Sequence, residues 1–371
     1  MPLYLTEDQS VLRDSAREFI ATEGSIATQL RKYRDMNCPD GFGHALWRQF
    51  GEMGFTGILI PEADGGLGMG HVEAGIVLEE IGRNLTPSPF LTTAVAAVEA
   101  LKGTAQAQRW LPGILAGETV AALAIDEGAK HRPETIAMQA TRAGNGFRLS
   151  GRKQFVVQGA SADFLIVAAR TEEGLTLFAV EKGAANMDVE GVRLADSSIG
   201  ARIDFRDVEV DADAVIGEVG QGDTVLKRVL GAARAGASSE LVGVASGAMD
   251  MTVDYLKQRK QFGKLIGEFQ ALQFRAAHLY SELEIARAAA LKAQQLLDEG
   301  SEDAEAMVSV AKAKAGRVST LAVQEGVQMH GGIGMTDEYD IGLYMKRDRV
   351  LNELFGDANY HADRLATLKG Y

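Results

Sequence analysis

The spacing of apolar residues changes twice along this chain, from helical to strand-like near residue 119 and back to helical near residue 223. Such an order predicts a helical, a β and a second helical layer, with domains at residues 1–118, 119–222 and 223–371. In the first, Thr6 and Gln9 have the spacing of a capping box, and Val11, Leu12, Ala16, Phe19 and Ile20 follow at helical intervals. Further helices are expected near residues 46–53, 72–82 and 94–101. Pro61, Gly65, Gly66 and Gly68, then Pro87 and Pro89, enforce the turns between them.

The middle segment holds FRLSGRKQFVVQG, ADFLIVAAR, LTLFAVEK, MDVEGVRLA and ARIDFRDVEVDADAVIG, short runs rich in Val, Ile and Phe and divided by Gly, Asp and Ser. No helical pattern lies between them, which disfavours parallel βαβ units and predicts a central antiparallel β domain. After the junction GEVGQGD, helices are expected over residues 224–259, 269–299, 303–329 and 343–354. Their Ala-rich stripes fit a carboxyl-terminal four-helix bundle, so the fold class is α+β. The run AARAGASSELVGVASGA implies close helix packing, leaving room either for a bulky neighbour or for a wide pocket.

Composition narrows the function. With 46% hydrophobic residues the chain can bury a large core, yet it has no uninterrupted apolar run of about 18 residues that would span a bilayer. MPLYLTEDQSVLRDSA has no basic stretch followed by an apolar one, so no signal peptide is expected. The single cysteine, Cys38, cannot form an internal disulfide and has no metal-ligand spacing around it; a cytoplasmic location and no metal are expected. A net charge of -13 argues against nucleic acid and anionic membrane as partners. A phosphate-bearing small molecule needs only a few basic groups and backbone donors.

Two stretches are more specific than periodicity: LKQRKQFGKLIGEFQALQFRAAHL, residues 256–279, and VQEGVQMHGGIGMTDEYDIGLYMKRDRV, residues 323–350. Taken alone, GGIG in the second is better read as a helix connection. With IPEADGGLG, however, the two stretches resemble the acyl-CoA dehydrogenase family of flavoenzymes, over essentially the whole chain and in the order of the three domains. The ending FGDA followed by a His is most similar to the smaller subunits of paired dehydrogenases for dicarboxyl- or steroid-derived acyl-CoA.

This resemblance implies FAD, held between the β domain and the terminal bundle and reaching into a neighbouring subunit. It implies that Arg259 contacts the flavin phosphates, a bidentate task that a lysine would not reproduce. Phe262 would pack near the flavin and Gln270 hydrogen-bond to it. Gln328, Gly331 and Gly332 would line the strip beside the dinucleotide, where backbone N–H groups approach because no Cβ intrudes. An acyl-CoA substrate, an electron-transferring flavoprotein as acceptor, and a homotetramer or a heterotetramer with a paralogue are implied as well.

The chain departs from the family where the chemistry is done. α,β-Dehydrogenation needs a carboxylate to take the α-proton. The family's two positions for that glutamate fall on Gly356 and Ala233, while the neighbouring arginine is kept as Arg234. Asp357 is one residue past the first position, and Glu240 lies about two helical turns beyond the second. By itself Asp357 is more readily read as the cap of a last helix, and Glu240 as a structural partner of an arginine such as Arg234 or Arg275. His361 is read as a surface or interface residue. Where relatives have Thr-Glu-Pro-Gly-Ala-Gly-Ser, this chain has IDEGAKHR, and where they have Trp-Ile-Thr it has Phe155, Val156 and Val157, so Val157 offers a backbone N–H but no hydroxyl.

The leading expectation is an FAD-dependent acyl-CoA dehydrogenase, with Asp357 as base, Glu240 as the other candidate carboxylate and Arg234 holding the surroundings. The second is a subunit inactive by itself that completes a partner's flavin site. The third is a hydratase or acyl-CoA-binding protein that uses the fold without redox chemistry.

Overall fold

The computed structural model describes residues 3–371. The first helices are α1 (Glu7–Glu23), α2 (Lys32–Asp35), α3 (His44–Glu52), α4 (His71–Arg83), α5 (Val98–Leu101) and α6 (Ala107–Leu115). The strands that follow are β1 (Ala121–Ala124), β2 (Gln139–Ala143), β3 (Gly146–Val157), β4 (Phe164–Thr171), β5 (Gly174–Glu181), β6 (Met187–Arg193), β7 (Ile199–Val210) and β8 (Val215–Ile216). The chain continues through α7 (Gly222–Gln258), a short hairpin of β9 (Lys260–Gln261) and β10 (Lys264–Leu265), α8 (Gln270–Asp298), α9 (Ala304–His330), α10 (Ile341–Glu353) and α11 (Ala358–Leu368). An amino-terminal helical region, a central sheet and a carboxyl-terminal helical region therefore follow in the expected order.

These residues group into two compact units, one of residues 32–70 with 87–233 and one of the residues up to 31 with 71–86 and 234–371. The first unit carries the sheet, ordered β6-β7-β3-β2-β4-β5-β8. Its pairs β2/β3, β3/β7, β6/β7, β4/β5 and β5/β8 are antiparallel. The exceptions are β1, parallel to β4 from Ala121↔Phe164 to Ala124↔Val167, and β2, parallel to β4 at one pair. A parallel pair needs a long crossover, and here the hairpin of β2 and β3 supplies it in place of a helix. Residues 164–169 of β4 are all buried, so both faces of that strand are covered, and Val167, Phe178, Ile203 and Phe205 belong to one apolar core.

The second unit starts with the capping box as expected: Gln9 N–H donates to Thr6 Oγ1 at 3.2 Å and Thr6 N–H to Gln9 Oε1 at 3.0 Å. Its helices pack through small residues, among them Ala235 of α7, Ala293 of α8 and Ala311 of α9. A Cβ at Gly82 would overlap the carbonyl of Glu240, and one at Gly243 would overlap the carbonyl of Glu79. The small residues here thus serve direct contact between α4 and α7, which brings the Glu240 turn of α7 against α4.

Candidate active site

The turn between α10 and α11 carries Asp357, one of the two candidate carboxylates. Leu354 ends α10, Phe355 and Gly356 have positive φ angles of 60° and 103°, and Asp357 is the N-cap of α11. Asp357 Oδ1 accepts the N–H groups of Asn359 at 3.0 Å and Tyr360 at 2.8 Å, meeting two of the donors a helix start leaves unpaired. The capping role read from the sequence is what its carboxylate performs in this structure.

Three basic side chains converge on the carbonyls of this turn. Arg234, from α7, donates its Nε to Phe355 O at 3.2 Å and a terminal nitrogen to the Tyr360 hydroxyl at 3.1 Å, with its guanidinium over the Tyr360 ring. Burial pulls the Arg234 pKa below its ordinary value. His361 is completely buried and donates Nε2–H to Phe355 O at 3.1 Å, so it is neither a surface residue nor aimed at solvent. Lys312, from α9, is 1% exposed and donates Nζ–H to Leu351 O at 3.0 Å, Asn352 O at 3.2 Å and Gly356 O at 3.0 Å. Burial and then the charge of Arg234 bring the Lys312 pKa down to about 7, against the opposing pull of Asp357, Asp348 and Glu353.

Glu240 is 2% exposed, and its partner is neither Arg234 nor Arg275. Arg347 of α10 grips Glu240 Oε1 through Nε at 3.0 Å and again through a terminal nitrogen. Arg275 instead bonds Glu325 at 2.5 Å. The expected pairing was misassigned because α10, far along the chain, is the helix that meets this side of α7.

A separate cavity of about 540 Å³ gathers Arg259, Phe262, Gln328, Gly331 and Gly332. Arg259 follows α7 directly, and its guanidinium makes no ion pair among the described residues. Phe262 and Gly263, at φ 52° and 81°, form the turn of the β9–β10 hairpin. That geometry holds the Phe262 ring 90% exposed. Gly331 ends α9 at φ 67° and ψ -141°, a conformation that only glycine adopts readily. A Cβ at Gly331 or Gly332 would meet open space, so nothing among the described residues occupies the strip these glycines keep clear. Gln270 begins α8, exposed, and does not line the cavity.

Reading the sequence missed His330, which also lines this cavity. Its Nδ1–H donates to Gly326 O at 2.7 Å, its ring stacks on Tyr255 at 4.4 Å, and burial pushes its pKa down. The unit that carries the sheet has its own missed pair. Lys153, fully buried in β3, donates to Ile125 O at 3.0 Å and Glu127 Oε1 at 2.8 Å. Glu127, from IDEGAKHR, also accepts Ala137 N–H and Met138 N–H, so this segment is pinned to the sheet through Lys153. Val157 ends β3 opposite Gly200. Because Gln158 N–H bonds Ile199 O at 2.9 Å, ladder alternation turns the Val157 N–H away from β7.

Among the described residues no helix is long and apolar enough to cross a membrane, and no cluster of three His, Cys, Asp or Glu side chains could hold a metal. Residues 6–118 match a family model described as the acyl-CoA dehydrogenase N-terminal domain, and residues 220–368 one described as the acyl-CoA dehydrogenase C-terminal domain. The chain is 31% identical to the mitochondrial isovaleryl-CoA dehydrogenase of Solanum tuberosum, over 83% of this chain and 78% of that protein. It is 29% identical to the caffeyl-CoA reductase-Etf complex subunit CarC of Acetobacterium woodii, over 94% of each. A solved structure described as a variant of the Tcur3481-Tcur3483 steroid ACAD superposes with a TM-score of 0.90 at 30% identity, covering 98% of each chain.

Proposed function

This chain belongs to the acyl-CoA dehydrogenase family of oxidoreductases, and we propose that it converts an acyl-CoA thioester to the 2-enoyl-CoA by α,β-dehydrogenation. Its cofactor is FAD, which when bound accepts the hydride leaving the β-carbon. The observation that carries this reading is the cavity around Arg259. An arginine without an ion pair among the described residues, an exposed phenyl ring and two glycines that keep a backbone strip clear together fit a dinucleotide.

Arg259 holds the diphosphate, and the Gly331 and Gly332 backbone approaches it. Phe262 covers an apolar face of the cofactor, and Gln328 lies along the same strip. Gln270 and the Val157 N–H are assigned to the flavin on the family resemblance alone. Asp357 takes the α-proton, and Arg234 keeps the turn that carries it in place. Glu240, neutralised by Arg347, has a structural role in this reading.

The acyl group is bulky, in keeping with the likeness to a structure described as a steroid ACAD. An electron-transferring flavoprotein re-oxidises the cofactor, as suits a relative described as part of an Etf complex. A tetramer, a cytoplasmic location and the domain division at residues 118 and 222 complete the proposal.

A second reading is favoured by the commitment of Asp357 to capping and the absence of glutamate at positions 356 and 233. In it, the chain has no base of its own and completes the flavin site of a paralogue in a heterotetramer. Anaerobic titration of the FAD-loaded protein with a panel of acyl-CoA thioesters decides between them. Bleaching of the flavin band by a thioester supports the dehydrogenase. A flavin that no thioester reduces, or FAD retained only beside a sister subunit, supports the second reading.

A further inference from the structure

We infer that Lys312 is the positioning residue of the α10–α11 turn: its buried ammonium clips the end of one helix to the start of the next and thereby fixes where residues 356 and 357 stand. The inference rests on the proposed dehydrogenase reading only for its effect on turnover. The structural hold is independent of it.

The geometry is that of an internal cation site. Lys312 has three carbonyl acceptors at 3.0, 3.2 and 3.0 Å, which matches the three hydrogens of an ammonium and exceeds the two of a neutral amine. Leu351 and Asn352 lie in the last turn of α10, where carbonyls lack helical partners and a cation is favoured. The third carbonyl, of Gly356, lies beyond the turn and directly before the cap of α11. A single charge therefore spans the two residues with positive φ, and Phe355, a bulky side chain in that region, keeps such a backbone only if its surroundings over-determine it.

Charged groups face the amine from three helices. Arg234 does so from α7, Asp348 and Glu353 from α10, and Asp357 from the start of α11. Helix α11 adds His361, on Phe355 O, and Arg364, paired with Glu305 of α9. Toward α8 the packing is apolar, through Ala289, Ala293 and Leu297 against Val308 and Ala311. Among the described residues no carboxylate touches the amine, so its charge is held by carbonyl dipoles. With a pKa brought down to about 7, it is protonated at pH 6 and neutral at pH 9.

The test is hydrogen–deuterium exchange of the FAD-loaded protein over residues 353–361, at pH 6 and pH 9 after correction for intrinsic rates, beside flavin reduction by an acyl-CoA. In the wild-type protein, protection of this segment is expected to fall at least fivefold from pH 6 to pH 9, with residues 259–266 unchanged. Lys312→Met is expected to show the low protection at both pH values. It should also lower kcat at least tenfold, with the Kd for FAD within twofold of wild type, and Lys312→Arg should restore protection at pH 9. Equal protection at the two pH values in the wild-type protein overturns the inference, as does a Lys312→Met protein protected like wild type. If Lys312→Met does not fold, the wild-type pH series still decides. Failure of every thioester to bleach the wild-type flavin would sink the dehydrogenase reading while leaving the exchange result to judge Lys312.

Discussion

The Tyr360 ring fills the space that a side chain at Gly356 would need: a Cβ there would overlap Tyr360 Cδ1 and lie 3.0 Å from His361 Nε2. A glutamate placed here would therefore need volume that an aromatic ring bonded to Arg234 already fills. Gly356→Glu alone must strain a backbone at φ 103° and displace that ring. It is expected to cost about 2–3 kcal/mol in urea unfolding. Adding Tyr360→Ala should recover part of that loss, and an additive double variant would refute the packing account.

Asp357 permits a separation of capping from proton transfer. Asparagine caps about as well as aspartate, so Asp357→Asn should change stability by less than about 0.5 kcal/mol. If Asp357 is the base, the same variant should slow flavin reduction by roughly 10²–10⁴-fold. Asp357→Ala should lose the same activity and about 1 kcal/mol of stability besides. Unchanged reduction in Asp357→Asn would leave the residue a cap only.

Arg259 makes no ion pair among the described residues, so its removal should leave the melting temperature of the FAD-free protein unchanged within about 1 °C. FAD affinity should fall at least tenfold in Arg259→Ala, and Arg259→Lys should recover little of it, because an ammonium does not reproduce a bidentate phosphate contact. Fluorescence quenching on FAD titration reads both. Full rescue by lysine would mean that the arginine acts only as a point charge.

Glu240 is buried beneath a partly exposed Arg347, so removing the arginine should cost about 3–5 kcal/mol by leaving a buried carboxylate without its cation. Glu240→Gln should cost much less and leave flavin reduction near wild type. A large fall in reduction with Glu240→Gln, at unchanged stability, would instead make Glu240 a participant in the chemistry.

Local signals in the sequence were enough for much of this fold. The capping box at Thr6 could be read from its spacing, and the runs behind β3, β4, β5, β6 and β7 from their Val, Ile and Phe content between Gly, Asp and Ser. Helix α6 was missed because Pro112 inside it imitates a break. The buried helical turn at residues 91–97 was expected only from residue 94 on, because a segment apolar on every side has no period to mark where it begins. The parallel seat of β1 depends on a partner some forty residues away, which no local pattern encodes. The same limit divides the site. Arg259, Phe262 and the glycine strip lie in compact motifs, whereas Lys312 gains its role from Gly356, 44 positions along the chain. A hint was present in the Lys312 spacing from Val308 and Ala315, which puts it on the buried face of α9.

Lys312 also predicts a pH dependence of stability opposite in sign to that of its hold on the turn. In the unfolded chain the amine titrates near its ordinary value of 10.5, whereas in the folded protein it does so near 7. Below about pH 7 both states are charged, and the folded one carries the cost of a buried ammonium. Between about 7 and 10.5 the unfolded state binds the extra proton, so raising pH removes that cost and stability rises, by up to about 1.4 kcal/mol per pH unit for this group. The stability difference between wild type and Lys312→Met should therefore shift in favour of wild type from pH 7 to pH 9.5, as measured by urea unfolding of both proteins in one buffer series. Over the same range the exchange of residues 353–361 should quicken, because the neutral amine satisfies two carbonyls where the ammonium satisfied three. A difference flat across that range would mean that the amine does not titrate there.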